Sequence, residues 1–390
     1  MISRYFELSS EYSYILVGPR QTGKSLYIKS LSAPNAWTVN LLLSRSFLKY
    51  EREPFLFREE ALFQIQKRGV KTIVVDEIQK VPLLLDEVHQ LLEETDCRFL
   101  LTGSSARKLK KGAANLLGGR AIFKRIYPFT YLELDRAKMS FSGLDELLQF
   151  GTIAGIFVKP TASRPSFLRT YVDTYLKEEI QIEGLVRGLS GFAHFLEVAA
   201  QSVGEVVNYS KVGRDCSQNS NTVKNYFEIL EDTLVGYRLP AWSESRRKQL
   251  ASHPKFYFFD TGVVCALSSR LVDPLDAPLR GRLFEQWLIN EVRAISEYQE
   301  KDCSLHYWRT QEGDEVDLLV CRGKKPLFAA EIKAHSEVKT EHFVGLKELR
   351  QDYPDLPLLL VCLVTEPYLS DGIQVLPWTE FLTQIKELIN

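Results

Sequence analysis

Gly18-Pro19-Arg20-Gln21-Thr22-Gly23-Lys24-Ser25 fits the pattern G-x-x-x-x-G-K-[ST] at every fixed position. The chemistry of that pattern is phosphate binding. Gly18 and Gly23 let the loop wrap closely with its N–H groups turned inward. Lys24 supplies positive charge to the β- and γ-phosphates, and the Ser25 hydroxyl is a ligand for Mg²⁺. The expected nucleotide contacts run from Gly18 through Ser25 to Leu26, with Asp76 completing the set. Asp76-Glu77 directly follows the apolar run Thr72-Ile73-Val74-Val75. Asp76 is suited to hold Mg²⁺ through water, and Glu77 to act as general base on an attacking water. Cys97 to Ser105 is a further apolar run that ends in small hydroxyl residues. Ser104 is the first choice for sensing a γ-phosphate, with Ser105 and Thr102 as alternatives.

A second set of reactive types lies near the C-terminus. Asp317 and Glu331 offer hard oxygen ligands suited to Mg²⁺. Lys333 is two residues beyond Glu331, so strand alternation turns both to one face. A lysine there can orient or deprotonate a water that attacks a phosphodiester. The separation of Asp317 from Glu331-x-Lys333 resembles the PD-(D/E)xK nuclease core. That resemblance implies Glu285, on a preceding helix, as fourth member and third metal ligand. Helical geometry leaves a rival. At 100° per residue Glu291 falls near the middle of the apolar face made by Phe284, Trp287, Leu288 and Ile295, while Glu285 sits on its flank. A buried carboxylate needs a partner or a metal, so Glu291 stays open as the inward-facing acid.

These residues need a scaffold. Tyr14-Ile15-Leu16-Val17 reads as a buried strand and Leu26 to Leu31 as the helix after the loop, the context a phosphate site requires. Ala36 to Leu43, Thr72 to Val75, Cys97 to Ser105 and Ala121 to Phe123 read as four more strands. Seven basic residues and no acid occupy the stretch from Arg107 to Arg125: Arg107, Lys108, Lys110, Lys111, Arg120, Lys124 and Arg125. They are either a solvated basic loop or, at Arg120, a finger that reaches a neighbouring subunit's γ-phosphate. Residues 136–204 carry helical patterns, with Leu144, Leu147 and Leu148 in one and Tyr171, Tyr175, Leu176 and Ile180 in another. Residues 205–275 read as winged-helix-like. Two short helices, from Ser210 and from Ser220, meet at a tight turn, and Val223, Phe227, Leu230 and Leu234 form an apolar stripe. Lys211, Arg214, Lys224 and Asn225 are its candidates for DNA contact. Arg246, Arg247, Lys248 and Lys255 read as either a solvated hairpin tip or a phosphate patch. Residues 276–390 hold the helix around Glu285, the strands of the acidic set, two further apolar strands and a closing helix.

A chain of 390 residues is too long for one ordinary core. Its 45% hydrophobic and 25% charged residues are those of a globular protein. A net charge of −1 excludes a global field for nucleic acid, so any such surface is local. The six cysteines are scattered with no Cys-x-x-Cys, which indicates neither a zinc site nor a disulfide framework. A reduced, cytoplasmic setting is expected, with no signal peptide and no membrane span.

Gly-Pro-Arg-Gln-Thr-Gly-Lys-Ser, Val-Val-Asp-Glu-Ile-Gln, Leu-Thr-Gly-Ser-Ser, Gly-Gly-Arg and Tyr-Pro-Phe-Thr-Tyr-Leu-Glu-Leu occur in that order. In this the chain resembles a large family of prokaryotic AAA-type ATPases with a C-terminal domain of unknown function and a restriction-endonuclease-like end. The implied fold is α/β. A P-loop NTPase parallel sheet over 1–135 is followed by the helical and winged-helix-like regions and a small nuclease-like α/β domain. The implied activity is Mg²⁺-dependent ATP hydrolysis in a homo-oligomer, coupled to nucleic acid. Two alternatives stand beside it: a nucleotide-controlled switch or scaffold, and an ATP-regulated metal-dependent DNA nuclease.

Overall fold

The computed structural model describes residues 2–31, 35–104, 119–176, 189–243 and 253–390. Ser105, Arg107, Lys108, Lys110, Lys111, Ile180, Arg246, Arg247 and Lys248, all weighed above, lie outside the described residues. The chain forms two compact units. The first comprises Phe6–Tyr127 with Asp232–Val235, and the second Met1–Tyr5, Pro128–Glu231 and Gly236–Asn390.

In the first unit β1 (Ser13–Val17), β2 (Trp37–Asn40), β3 (Thr72–Asp76), β4 (Arg98–Gly103) and β5 (Ala121–Arg125) make a parallel sheet in the order β2-β3-β4-β1-β5. β1 and β3 are buried along their whole length, as apolar strands of a sheet covered on both faces must be. The helices Lys24–Leu31, Phe55–Arg68 and Leu84–Glu94 fill the connections, and Gly69 (φ 65°) ends the second of them in the left-handed conformation. The core gathers Phe57, Leu85, Val88 and Leu91 from the helices against Val75, Phe99 and Leu101 from the strands. β2 is shorter than the expected run from Ala36 to Leu43. Asn40 Oδ1 accepts from the Leu42 amide (2.8 Å), and that local bond turns the chain out of the sheet. Because β3, β4 and β1 are neighbours and parallel, the segments that leave their carboxyl ends emerge side by side. Such an edge is where open α/β sheets bind ligands.

The second unit is helical at first and then a mixed sheet. Gly151 (φ 63°) ends helix Leu144–Phe150, and the short helix Ala154–Phe157 follows. Helix Leu189–Gln201 precedes Tyr209–Asp215 and Ser220–Asp232. Asn208 Oδ1 caps the middle one by accepting from the Lys211 amide (3.0 Å). Val223, Phe227 and Leu230 are buried as expected, but Leu234 lies beyond the helix end with φ 62°. β6 (Gly236–Leu239) pairs antiparallel with β7 (Lys255–Phe258), and a lone bridge joins Val206 to Lys255. Lys255 is therefore not at a solvated tip: it is 3% exposed, within a strand buried throughout.

β8 (Cys303–Arg309), β9 (Glu315–Arg322), β10 (Lys325–Ile332), β11 (Leu358–Cys362), β12 (Tyr368–Ser370) and β13 (Ile373–Pro377) form a mixed sheet in the order β12-β13-β11-β10-β9-β8. Helix Val344–Asp352 packs Leu346 and Leu349 into its core with Val316, Leu319 and Leu360. Helix Ala277–Tyr298 starts at Asp276, whose Oδ1 accepts from the Leu279 amide (2.9 Å). Its Trp287 meets Trp378 of helix Trp378–Leu388 edge to face, with ring centroids 5.2 Å apart. Among the described residues no helix is long and apolar enough to cross a membrane.

Candidate functional site

The loop after β1 folds as its sequence requires. Gln21 (φ 62°) and Gly23 (φ 92°) are left-handed, which bends the chain back before the helix starts at Lys24. A Cβ on Gly18 would stand 2.3 Å from Ile126 O, so only glycine fits where the loop passes that backbone. Thr22 Oγ1 donates to Pro19 O (2.8 Å), closing the turn. The buried Lys24 ammonium donates to Gly18 O (2.7 Å) and Pro19 O (2.8 Å), so it lies inside the loop's own curve.

Asp76 ends β3 and Glu77 follows in the left-handed region (φ 62°, ψ 48°), a strained conformation for a non-glycine residue. Ser25 Oγ donates to Asp76 Oδ1 (2.8 Å), joining groups far apart in the chain. Thr102 Oγ1 donates to the same oxygen (2.5 Å) and accepts from the Glu77 amide (2.9 Å), fixing both acids against β4. Ser104 Oγ is 3.3 Å from Glu77 Oε2. Gln79 Nε2 donates to both Glu77 Oε2 and Ser104 Oγ (3.0 Å to the latter). Sequence reasoning quoted Gln79 in a motif and gave it no role. A buried amide two residues beyond the base was the available signal. Its Oε1 is buried with no hydrogen-bond partner.

The remaining predicted residues are placed differently. Pro19 is buried, Arg20 and Gln21 lie on the loop, and Leu26 is 59% exposed on the helix after it. Arg120 precedes β5, whose first residue pairs with Ser13 at the amino end of β1. That end is about 15 Å from the carboxyl edge, at roughly 3.3 Å per residue. Arg120 therefore does not join this chain's own loop and pairs with Glu93 (2.5 Å) on an exposed surface.

In the second unit the fold gathers the acidic set around two lysines. Glu285 Oε1 accepts from Tyr257 OH (2.6 Å) and from the Lys255 ammonium (3.0 Å). Lys255 Nζ also lies 2.6 Å from Glu315 Oε1 and 3.6 Å from Asp317 Oδ1. Lys333 Nζ lies 2.5 Å from Glu331 Oε1 and 3.5 Å from Asp317 Oδ2, which also accepts from the Ile332 amide (2.9 Å). Burial disfavours charge on all three acids. At Asp317 the lysines and the amide outweigh it and hold the carboxyl low. Burial dominates at Glu285, which is raised, and at Glu331, pushed up to about 8 with the Asp317 charge assisting. Glu291 goes elsewhere: both its oxygens accept from the Tyr131 amide (3.0 Å each) at the start of helix Tyr131–Arg136. Glu285 is thus the helix acid beside Asp317. Lys255 and Glu315 are the members that sequence reasoning missed.

Residues 10–134 match the model of the AAA domain family. That match takes in the phosphate loop and the acids Asp76 and Glu77. Residues 143–273 and 280–381 match two models, each described as a domain of unknown function (DUF8612 and DUF4143). An uncharacterised protein of Mycobacterium tuberculosis is 24% identical over 80% of this chain and 69% of its own length. One from Haemophilus influenzae is 23% identical over 65% and 68%, and one from Methanocaldococcus jannaschii 20% over 75% and 69%. Among solved structures, the Aeropyrum pernix ORC1 protein in complex with DNA is similar at 15% identity. It covers 66% of this chain and 86% of that one, with a TM-score of 0.30. The replication initiator DnaA bound to AMPPCP and single-stranded DNA is similar at 13% identity over 57% and 83%, with a TM-score of 0.28.

The residues of this matched region fit a magnesium nucleotide. The loop's curve admits no side chain at Gly18, Lys24 is enclosed by it, and Ser25 and Asp76 present hard oxygens together. One carboxylate and one hydroxyl suffice, since Mg²⁺ takes its other ligands from phosphate and water. The acidic set of the second unit does not fit a metal ion as the nuclease resemblance implied. Among the described residues no group of three or more His, Cys, Asp or Glu side chains is arranged to hold one. The physical reason is that Lys255 and Lys333 engage Glu285 Oε1, both oxygens of Asp317 and Glu331 Oε1.

Proposed function

We propose that this chain is a Mg²⁺-dependent ATPase whose hydrolysis is coupled to nucleic-acid handling. The observation that carries the ATPase reading is the Ser25 Oγ to Asp76 Oδ1 contact of 2.8 Å, with Glu77 next in the chain. It brings the hydroxyl of the phosphate loop against the acid of β3. In this reading the loop N–H groups from Gly18 to Gly23, Pro19 excepted, hold phosphate oxygens, and Lys24 leaves its carbonyl partners to bind them. Ser25 and Asp76 hold Mg²⁺. The bound ion supplies charge neutralisation at the phosphates. Glu77 takes the proton of the attacking water. Gln79 and Thr102 orient Glu77, and Ser104 reports whether a γ-phosphate is present. The resting bonds from Gln79 and Ser104 to Glu77 support a base held in reserve.

Coupling to nucleic acid is supported by the second unit. Three helices, then the β6–β7 hairpin with its bridge to Val206, follow the order of a winged helix. Lys211, Arg214, Lys224 and Asn225 are exposed on its second and third helices. Arg120, away from its own loop and at the surface, is suited to serve a neighbouring copy in a homo-oligomer.

Steady-state ATP hydrolysis, measured with and without duplex DNA, tests the proposal. Turnover that needs Mg²⁺, vanishes in Lys24→Ala and rises several-fold with DNA is expected. The rise should be lost in the Lys211→Glu, Lys224→Glu double variant. No turnover in wild type overturns the ATPase reading, and turnover indifferent to DNA overturns the coupling.

A further inference from the structure

We infer that Lys255 is the resident cation of the carboxylate cluster in the second unit, standing where a divalent metal would otherwise sit. The inference is independent of the nucleotide site. Lys255 enters from β7, and its ammonium meets carboxylates from two other elements: Glu285 of helix Ala277–Tyr298 (3.0 Å), and Glu315 (2.6 Å) and Asp317 (3.6 Å) of β9. Glu315 and Asp317 are two residues apart, so strand alternation turns both toward it. Its side chain is only 4% exposed. An ammonium so enclosed must be compensated, and here each ligand oxygen that compensates it is denied to a metal. A divalent ion among the same oxygens would lie within a few ångströms of that ammonium, and like charges that close repel strongly at low dielectric. Lys333 performs the same service for the other half of the cluster, bridging Glu331 (2.5 Å) and Asp317 (3.5 Å). Among the buried oxygens of the cluster only Glu331 Oε2 lacks a hydrogen-bond partner in the described residues, and a single buried oxygen is too few for a divalent ion. The sheet thus keeps a nuclease-like constellation held together by its own lysines, with no metal chemistry.

The test is Mn²⁺ titration of the full chain without nucleotide, read by the electron paramagnetic resonance of free Mn²⁺ and by thermal midpoint. Asp317→Asn assigns any bound ion to this cluster. Wild type is expected to bind no Mn²⁺ that Asp317→Asn loses. Lys255→Met strips the cation from buried acids and is expected to lower Tm by roughly 10 °C. Millimolar Mn²⁺ or Mg²⁺ should then restore much of that loss, because the ion can enter the vacated place. Lys255→Arg, which keeps the charge, should remain insensitive to metal. A wild-type Mn²⁺ site that Asp317→Asn abolishes overturns the inference. So does a folded Lys255→Met that neither loses stability nor gains metal binding. If Lys255→Met does not fold, the wild-type and Asp317→Asn titrations decide alone.

Discussion

Glu77 is held in a strained backbone conformation, with its carboxylate bonded to Gln79 and Ser104 rather than free in solvent. A general base contributes about 10²–10⁴ in rate, so Glu77→Gln should lower kcat by that factor and leave nucleotide affinity near wild type. Equal losses in binding and turnover would show that Glu77 holds the nucleotide instead. At Gly18 the added methyl of alanine meets Ile126 O at 2.3 Å. Gly18→Ala should weaken ATP at least ~10-fold, about 1.4 kcal/mol, in a fluorescent-nucleotide titration, and unchanged affinity would contradict the cradle. At this scale the sequence was legible where the chemistry is contiguous. The phosphate loop and Asp76-Glu77 are each a single run of residues, and their neighbours in the chain say what they are. Gln79 and Lys255 were not legible, because their roles exist only through partners that the fold brings to them. A lysine grouped with Arg246, Arg247 and Lys248 reads as surface charge until the acids around it are known.

Strands and helices were read well where apolar runs were long and ended in turn residues, as with β1, β3 and helix Ala277–Tyr298. Boundaries slipped where a local side-chain bond intervened, as Asn40 does after β2. The start of helix Tyr131–Arg136 shows what a sequence conceals. Thr130 and Glu133 form a capping box, yet Glu133 also pairs with Arg4 (2.8 Å) and both side chains are almost fully buried. Removing one partner of such a pair costs about 3–5 kcal/mol, so Glu133→Ala should lower the urea midpoint by that equivalent. A cost below ~1 kcal/mol would mean that the pair is solvated. In β8, burial pushes His306 from its ordinary 6.5 down to about 4. Between those values the unfolded chain binds a proton that the folded chain does not. Stability is therefore full at neutral pH and falls as pH drops from about 6.5 toward 4. Denaturant midpoints from pH 7 to pH 5 should fall less in His306→Gln than in wild type, and parallel slopes would refute the shift.

The whole molecule is two compact units, each with its own sheet, and the match to an AAA domain falls mainly in one of them. Separate cores predict more than one calorimetric unfolding transition. Magnesium with a non-hydrolysable ATP analogue at a hundredfold its Kd stabilises the unit that binds it by about 2.7 kcal/mol. One transition should therefore rise by several degrees, and Lys24→Ala should abolish that rise. The two main sheets were readable because each is written as its own set of apolar runs. How the second unit's acids are neutralised was not, since it depends on a lysine from one strand meeting carboxylates on other elements. The central claim, that the loop at Gly18–Ser25 and the acids of β3 form a magnesium nucleotide site, is tested most directly by isothermal titration. The same analogue with Mg²⁺ should bind wild type at one per chain and should not bind Lys24→Ala. No heat from wild type, or equal binding by both proteins, would contradict it.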